Sequence, residues 1–251
     1  MEIAENIFRI VIPFEDIYTT VFLIRTENGA MLFDTATFDS DMDEYVFPFL
    51  EKMGLPLEMV FVSHNHRDHA GGLARLVKKY PNVRIASRSE AVAEQFGNVF
   101  APSDGEILLE CLRVVEIPGH TQDCMGVLDQ RTGTLLTGDS LQLYGIYGSG
   151  KWGANIRFPR EHFAALEKLQ ELEIEMIVAS HDYHPCGYAA RGKPEAERYV
   201  NECRAALNGV REMIAAHPEL DDDRIAEKYN TETGLPVIGA HVVEAVRRDM
   251  M

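Results

Sequence analysis

The stretch Met59-Val60-Phe61-Val62-Ser63-His64-Asn65-His66-Arg67-Asp68-His69-Ala70-Gly71-Gly72 decides how the rest of the chain is read. Its apolar start, Met59 to Ser63, is a compact run of the kind that forms a strand buried on both faces. It empties into three histidines and one aspartate within six residues, and a helix is expected over Leu73 to Tyr80. Side chains alternate along an extended backbone, so His64 and His66 share one side. Asp68 and His69 follow at the turn into the helix, where neighbouring side chains diverge toward two points. That spacing suits two metal ions better than one, and neutral imidazole with carboxylate is the usual zinc donor set. Gly71 and Gly72 let the backbone turn tightly beneath the cluster.

Upstream, Ile7 to Pro13, Thr19 to Arg25 and Ala30 to Asp34 are β-favouring runs, the last two joined by the hairpin signal Asn28-Gly29. A helix over Asp39 to Met53 is stopped by Gly54 and Pro56. Downstream, short strand-like and helix-like pieces alternate. Three of the strand-like runs end on a candidate ligand: Val114 to Ile117 leads to His120, Leu135 to Gly138 to Asp139, and Met176 to Ser180 to His181. Ligands in open α/β sheets gather at the carboxyl ends of strands, so four such ends can bring five histidines and two aspartates together. Glu175 to Ala179 reads as the last strand.

From Pro194 the character changes. Tyr199, Cys203, Leu207, Val210 and Ile214 recur by four, four, three and four, one apolar face of a long helix. Asp221-Asp222-Asp223 caps another helix, and His241 to Arg248 suggests one more. The whole is an α/β (α+β) chain: a catalytic domain over 1–193 and a helical C-terminal extension over 194–251, packed on the same domain.

With 251 residues, 46% apolar and 25% charged, the chain is long enough for a sizeable core. Its 24 basic residues against 40 acidic ones give a formal charge of −16, which repels phosphate backbones and anionic lipid. The partner expected is a small-molecule substrate, with no nucleic acid and no membrane. The N-terminus lacks a signal-peptide pattern, and no apolar stretch approaches the roughly 18 residues that would span a bilayer. Cys111, Cys124, Cys186 and Cys203 are widely spaced and read as reduced thiols, so a cytoplasmic location is expected. The Tyr199–Ile214 face is expected to pack on its own domain, with a homodimer interface as the other reading; the oligomer is a monomer or a homodimer.

The histidine cluster, the separate His120, the Gly138-Asp139 pair and His181 together resemble the metallo-β-lactamase-fold hydrolases, whose hallmark is His-x-His-x-Asp-His followed in order by a His, a Gly-Asp and a final His. The resemblance covers roughly residues 1–190. It implies a four-layer αβ/βα sandwich with the metals at the rim of its two sheets. It also implies that His64, His66 and His120 hold one divalent ion and that Asp68, His69 and His181 hold a second, with Asp139 bridging. Asp34 matches the acidic residue that supports the metal-binding loop from behind. Two zinc ions are the expected cofactors, and iron or manganese suits the same ligand types. The activity implied is hydrolysis of a thioester, lactone or other ester-like bond of a small metabolite by a metal-bridging hydroxide, which Asp68, the expected catalytic residue, orients. The alternative is an iron-dependent oxidoreductase such as a persulfide dioxygenase.

Within that superfamily, the acyl-homoserine lactonases resemble Ser63 to Gly72 well but carry a tyrosine three residues after the bridging aspartate, where this chain has Gln142. Tyr144 is the nearby substitute. The glyoxalase II-type thioesterases share the ligand set and a helical C-terminal region. Tyr144 and Lys151, on the loop leaving Asp139, and Tyr183 and His184, just after His181, are the candidate substrate contacts. His162, His217 and His241 lie on helical segments and are not expected to be ligands.

Overall fold

The computed structural model describes residues 1–147, 152–234 and 238–250. Mixed α/β structure with two sheets, of seven and six strands, carries helices throughout. The chain divides into two compact units, one of residues 1–116 and 125–132, the other of 117–124 and 133–251.

In the first unit a seven-stranded sheet runs in sequence order: β1 (Glu2–Ala4), β2 (Ile7–Phe14), β3 (Ile17–Arg25), β4 (Ala30–Phe33), β5 (Leu57–Phe61), β6 (Arg84–Ala86) and β7 (Val99–Phe100). The first four pair antiparallel and β4 to β7 parallel. Asn28-Gly29 turns β3 into β4, with Arg25 opposite Ala30. The continuous apolar run at β5 follows from burial on both faces. Val60 and Val62 join the cluster of Ile12, Leu23, Leu32 and Leu73, while Phe61 on the other side stacks on Phe33 at 5.4 Å. Three more strands, β8 (Ile107–Leu108), β9 (Leu112–Glu116) and β10 (Met125–Asp129), form an antiparallel ladder.

The expected helix over 39–53 is composite: α1 (Asp39–Asp41), a π-helical turn over Met42–Val46, and α2 (Phe47–Met53), which ends at Gly54 in the left-handed region. Three short helices follow: α3 (Arg67–Ala70), α4 (Leu73–Lys79) and α5 (Glu90–Gln95), the last capped by the Ser89 hydroxyl accepting from Val92 N–H.

The second unit contains β11 (Thr134–Leu136), α6 (Pro159–Gln170), β12 (Met176–Tyr183), β13 (Gly187–Arg191), α7 (Lys193–Ala216), α8 (Asp222–Thr233) and α9 (Ala240–Met250). β11 is parallel to β12, and β12 antiparallel to β13. Two sequence expectations are corrected here. The strand at 175–179 extends to Tyr183, so His181 lies inside it, and β13 follows as the last strand. Ser180-His181-Asp182 interrupts the apolar run while the backbone stays extended, and Gly187-Tyr188-Ala189-Ala190-Arg191 has no alternating polarity to reveal a strand. In α7, Tyr199, Cys203, Leu207, Val210 and Ile214 are all buried. The last three join Ile225, Tyr229, Val243 and Val246 of α8 and α9 in one core.

Candidate metal centre

β5 ends at Phe61, and the chain continues extended through His64 to His66, which caps the N-terminus of α3. The His64 and His66 rings lie 4.7 Å apart, on one side as the alternation requires. Asp68 and His69 occupy the first turn of α3, with His69 Nε2 3.2 Å from Asp68 Oδ2. His64 and His69 are buried; His66 and Asp68 are half-buried.

Asp34 anchors this loop. Its carboxylate, fully buried just after β4, accepts from Ser63 N–H at 2.8 Å, Ser63 Oγ–H at 3.0 Å and His69 Nδ1 at 2.7 Å. Ser63 Oγ in turn lies 3.1 Å from His64 Nδ1. A hydroxyl that donates to Asp34 is left to accept from that nitrogen, so one carboxylate fixes the tautomers of two imidazoles. Both rings then carry the proton on Nδ1 and present Nε2 as a lone pair. Burial raises the Asp34 carboxyl above its ordinary range, against the opposing pull of His69 and Ser63.

Gly71 and Gly72 do lie beneath the cluster, but close approach, not unusual dihedrals, requires them. A Cβ would meet Thr37 O at 2.1 Å from Gly71, and Thr35 O at 2.1 Å from Gly72. The Thr35 backbone N–H and hydroxyl both donate to His69 O, so no room can open there without moving a donor residue.

The second unit carries its own set. His120 Nε2 lies 3.9 Å from Asp139 Oδ2, and His181 Nε2 lies 3.4 Å from Asp139 Oδ1. All three are buried. His120 Nδ1 faces the Asn155 carbonyl at 2.7 Å. Gln142, buried, places Nε2 3.0 Å from the same nitrogen and takes the Asn155 N–H on Oε1 at 2.6 Å. The carbonyl of Asn155 can only accept, so it selects the Nδ1–H tautomer and again leaves Nε2 outward. His162 supports this loop from below. It packs against Gly119, whose Cβ would fall 2.4 Å from His162 Nδ1, and hydrogen-bonds the Pro118 carbonyl. Burial pushes the His162 imidazole down to about 4.

The donor chemistry fits a divalent cation. Metal–nitrogen and metal–oxygen bonds of about 2.1 Å in tetrahedral geometry separate donors by about 3.4 Å. The spacings of 3.2 Å for Asp68–His69 and 3.4 Å for Asp139–His181 are of that size. Within the first unit, His64 with His66 and Asp68 with His69 offer ligand atoms within 4.8 Å of each other, and within the second unit Asp139 and His181 do so.

Other sequence candidates fall differently. Tyr144 packs against the α7–α9 core with its hydroxyl in reach of Tyr229. Tyr183 is buried with its ring 5.9 Å from that of His181. His184 stacks on Tyr147 at 3.5 Å, and backbone bonds from Tyr147 N to Asp182 O and from His184 N to Gly145 O tie the two segments together. Lys151 lies outside the described residues. Burial pushes the Cys124 thiol up to about 12, and all four cysteines are free thiols. Sequence reasoning missed Ser63, Asn155 and His162 as supports. Ser63 precedes the first ligand directly, but a backbone carbonyl such as Asn155 O leaves no signal, because every residue has one. No helix among the described residues is long and apolar enough to cross a membrane.

A family model described as the metallo-beta-lactamase superfamily matches residues 15–96. A lactamase-like protein of Pestalotiopsis microspora is 28% identical over 127 residues, 51% of this chain but only 40% of that longer protein. A hydroxyacylglutathione hydrolase of Vibrio cholerae is 27% identical over 189 residues, covering 74% of this chain and 70% of the relative. A metallo-beta-lactamase family protein of Thermus thermophilus superposes with a TM-score of 0.66 at 16% identity, over 98% of this chain and 92% of that one.

Proposed function

We propose that this chain, a member of the metallo-β-lactamase superfamily, is a dinuclear metal-dependent hydrolase that cleaves a thioester, lactone or other ester-like bond of a small metabolite. In this reading His64, His66 and His120 hold one divalent ion, Asp68, His69 and His181 the other, and Asp139 is shared. Zinc is the proposed metal. The observation that carries the reading is the orientation of His64, His69 and His120, whose Nδ1 atoms face Ser63, Asp34 and Asn155 and whose Nε2 atoms are thereby kept as donors.

Such ions, when bound, lower the pKa of a coordinated water to about 7 and polarise a carbonyl oxygen. The chain's own residues do the rest. Asp68, half-buried beside His69, would orient the attacking hydroxide. Asp34 holds the His69 ring in orientation, and the Asn155 carbonyl, whose peptide N–H donates to Gln142 Oε1, does the same for His120. The partial likeness to a hydroxyacylglutathione hydrolase supports a thioester as the first substrate class to test.

The test is elemental analysis of metal per chain, followed by turnover on a panel of thioesters and lactones after reconstitution. Close to two zinc per chain with zinc-restored hydrolysis is expected, and Asp68→Ala should lose metal and rate together. One iron per chain, with oxygen consumption on a persulfide and no zinc-supported hydrolysis, would overturn the reading in favour of an oxidoreductase.

A further inference from the structure

The segment Trp152–Arg157, which supplies the Asn155 carbonyl to His120, also forms one wall of a surface cavity of about 270 Å³ in the second unit. Gly239 and His241, at the start of α9, form the other. We propose that this cavity is the subsite for a carboxylate at the far end of the substrate, bound by Arg157 with His241 as second donor and Trp152 against the intervening chain. The assignment to a substrate arm rests on the hydrolase reading above; the anion site itself does not.

Three observations converge on it. First, the Arg157 guanidinium is aimed. Its Nε donates to Asn155 Oδ1 at 3.2 Å, its backbone N–H donates to Gly119 O at 2.8 Å, and its carbonyl accepts from Arg248 at 3.0 Å. With Nε engaged, the outer Nη edge remains for a ligand, and a guanidinium fork matches a carboxylate.

Second, the charges around the cavity are left open. Arg157 makes no ion pair with a carboxylate among the described residues, in a chain with 40 acidic side chains and a net charge of −16. Arg247 pairs with Asp222, and Arg248 faces Asp249, whereas the Glu244 charge only partly offsets that of Arg157 at His241. Both side chains line the same cavity, and burial and the Arg157 charge hold the His241 imidazole below the ordinary histidine range. An anion between them would remove that repulsion.

Third, the wall is shaped for the occupant. A Cβ on Gly239 would sit 2.7 Å from His241 Cε1, so the imidazole is folded directly against this glycine, and any side chain there would drive it into the cavity. Asn155, which lines the cavity, also presents its carbonyl to His120 Nδ1 at 2.7 Å, so the proposed subsite shares a wall residue with the support of that candidate ligand.

Trp152 is the chain's single tryptophan and lines the cavity, so its fluorescence reports occupancy without turnover. The probes are glutarate and its neutral isostere glutaramide, titrated into the wild-type protein and into Arg157→Gln and His241→Gln. Both substituted side chains are exposed, and thermal melts would confirm that the fold survives. Expected are a saturable change with glutarate, none with glutaramide, and a roughly tenfold or larger weakening in Arg157→Gln. A wild-type emission indifferent to millimolar glutarate, or an Arg157→Gln titration that overlays the wild type, overturns the proposal. Glutarate binding without any hydrolytic turnover would refute the hydrolase reading and leave the anion site standing. In kinetics, Arg157→Gln should raise KM for carboxylate-bearing thioesters more than for their neutral analogues, and an equal change in both would count against the substrate-arm assignment.

Discussion

Replacing Asp34 by Asn tests the support of the histidine cluster at a single atom. The position has φ of 67°, a left-handed conformation that asparagine tolerates better than most residues, so the backbone has no reason to move. The amide has one workable orientation. Its oxygen must face Ser63 N–H, now 2.8 Å from Oδ1, because a second donor there would clash. The NH2 then takes the place of Oδ2 and points at both His69 Nδ1 and Ser63 Oγ. His69 must now accept, which moves its proton to Nε2. Ser63 Oγ also accepts, so its own hydrogen turns toward His64 Nδ1 and moves that ring's proton to Nε2 as well. Both nitrogens meant for metal become capped. Binding metal in the variant means restoring Nδ1–H against an opposing donor at two buried contacts, at about 1–3 kcal/mol for each unmet group. With partial relaxation, a total of about 2–3 kcal/mol corresponds to a roughly 30- to 150-fold loss of zinc affinity. Stability of the metal-free protein should fall much less, by about 1 kcal/mol, since the amide still fills the space and satisfies Ser63. The assay pairs a zinc competition titration with urea unfolding of the metal-free protein. Wild-type zinc affinity in Asp34→Asn, with normal stoichiometry, would refute the tautomer argument. A large collapse in metal-free stability would show instead that Asp34 is mainly a folding element.

Gln142→Ala removes the acceptor for Asn155 N–H and should lower zinc affinity about tenfold while the melting temperature changes little, read by the same competition titration. Gly72→Ala puts a Cβ on the Thr35 carbonyl, which cannot retreat from His69, and should cost about 3 kcal/mol or more in urea unfolding. His162 gives a pH signature. Its imidazole is held down to about 4 in the folded state against about 6.5 when unfolded, so the unfolded chain binds the extra proton and stability falls as pH drops from 6.5 toward 4. At pH 5 the loss from this group is about 2 kcal/mol relative to pH 7.5. His162→Gln should flatten that part of the urea midpoint profile, and an unchanged slope would contradict the assignment.

What could be read from the sequence was what repeats or clusters. The α7 face is periodic, so its buried residues were identified correctly, and the Asn28-Gly29 turn carries its own chemistry. The candidate donors stood out as a dense cluster and three strand ends, although His181 proved to lie within β12 because hydrogen-bonded extension continues where apolar patterning stops. β13 was invisible for the same reason in reverse: Gly187-Tyr188-Ala189-Ala190-Arg191 pairs through its backbone with no polarity pattern to announce it. The π-helical turn at 42–46 has no composition of its own.

The sharpest lesson concerns Gln142. As a sequence position it could be noted only for lacking the tyrosine that a lactonase would carry there. In the fold it reaches backward, not into open space: one end of its amide meets the ring of His120 and the other holds the peptide whose carbonyl orients that ring. A tyrosine could not replace both contacts, since a phenol cannot hold the Asn155 N–H at 2.6 Å and meet His120 Nδ1 at 3.0 Å from the two ends of one planar group. Nor is Tyr144 placed to act as the substitute, because it is packed on the α7–α9 core beside Tyr229. If the enzyme opens lactones, it therefore does so without a tyrosine from this loop segment, and Gln142→Tyr should lose zinc affinity without gaining lactonase rate. A Gln142→Tyr variant that kept its metal and turned over lactones faster would show that the amide is dispensable and that the loop can take the other chemistry.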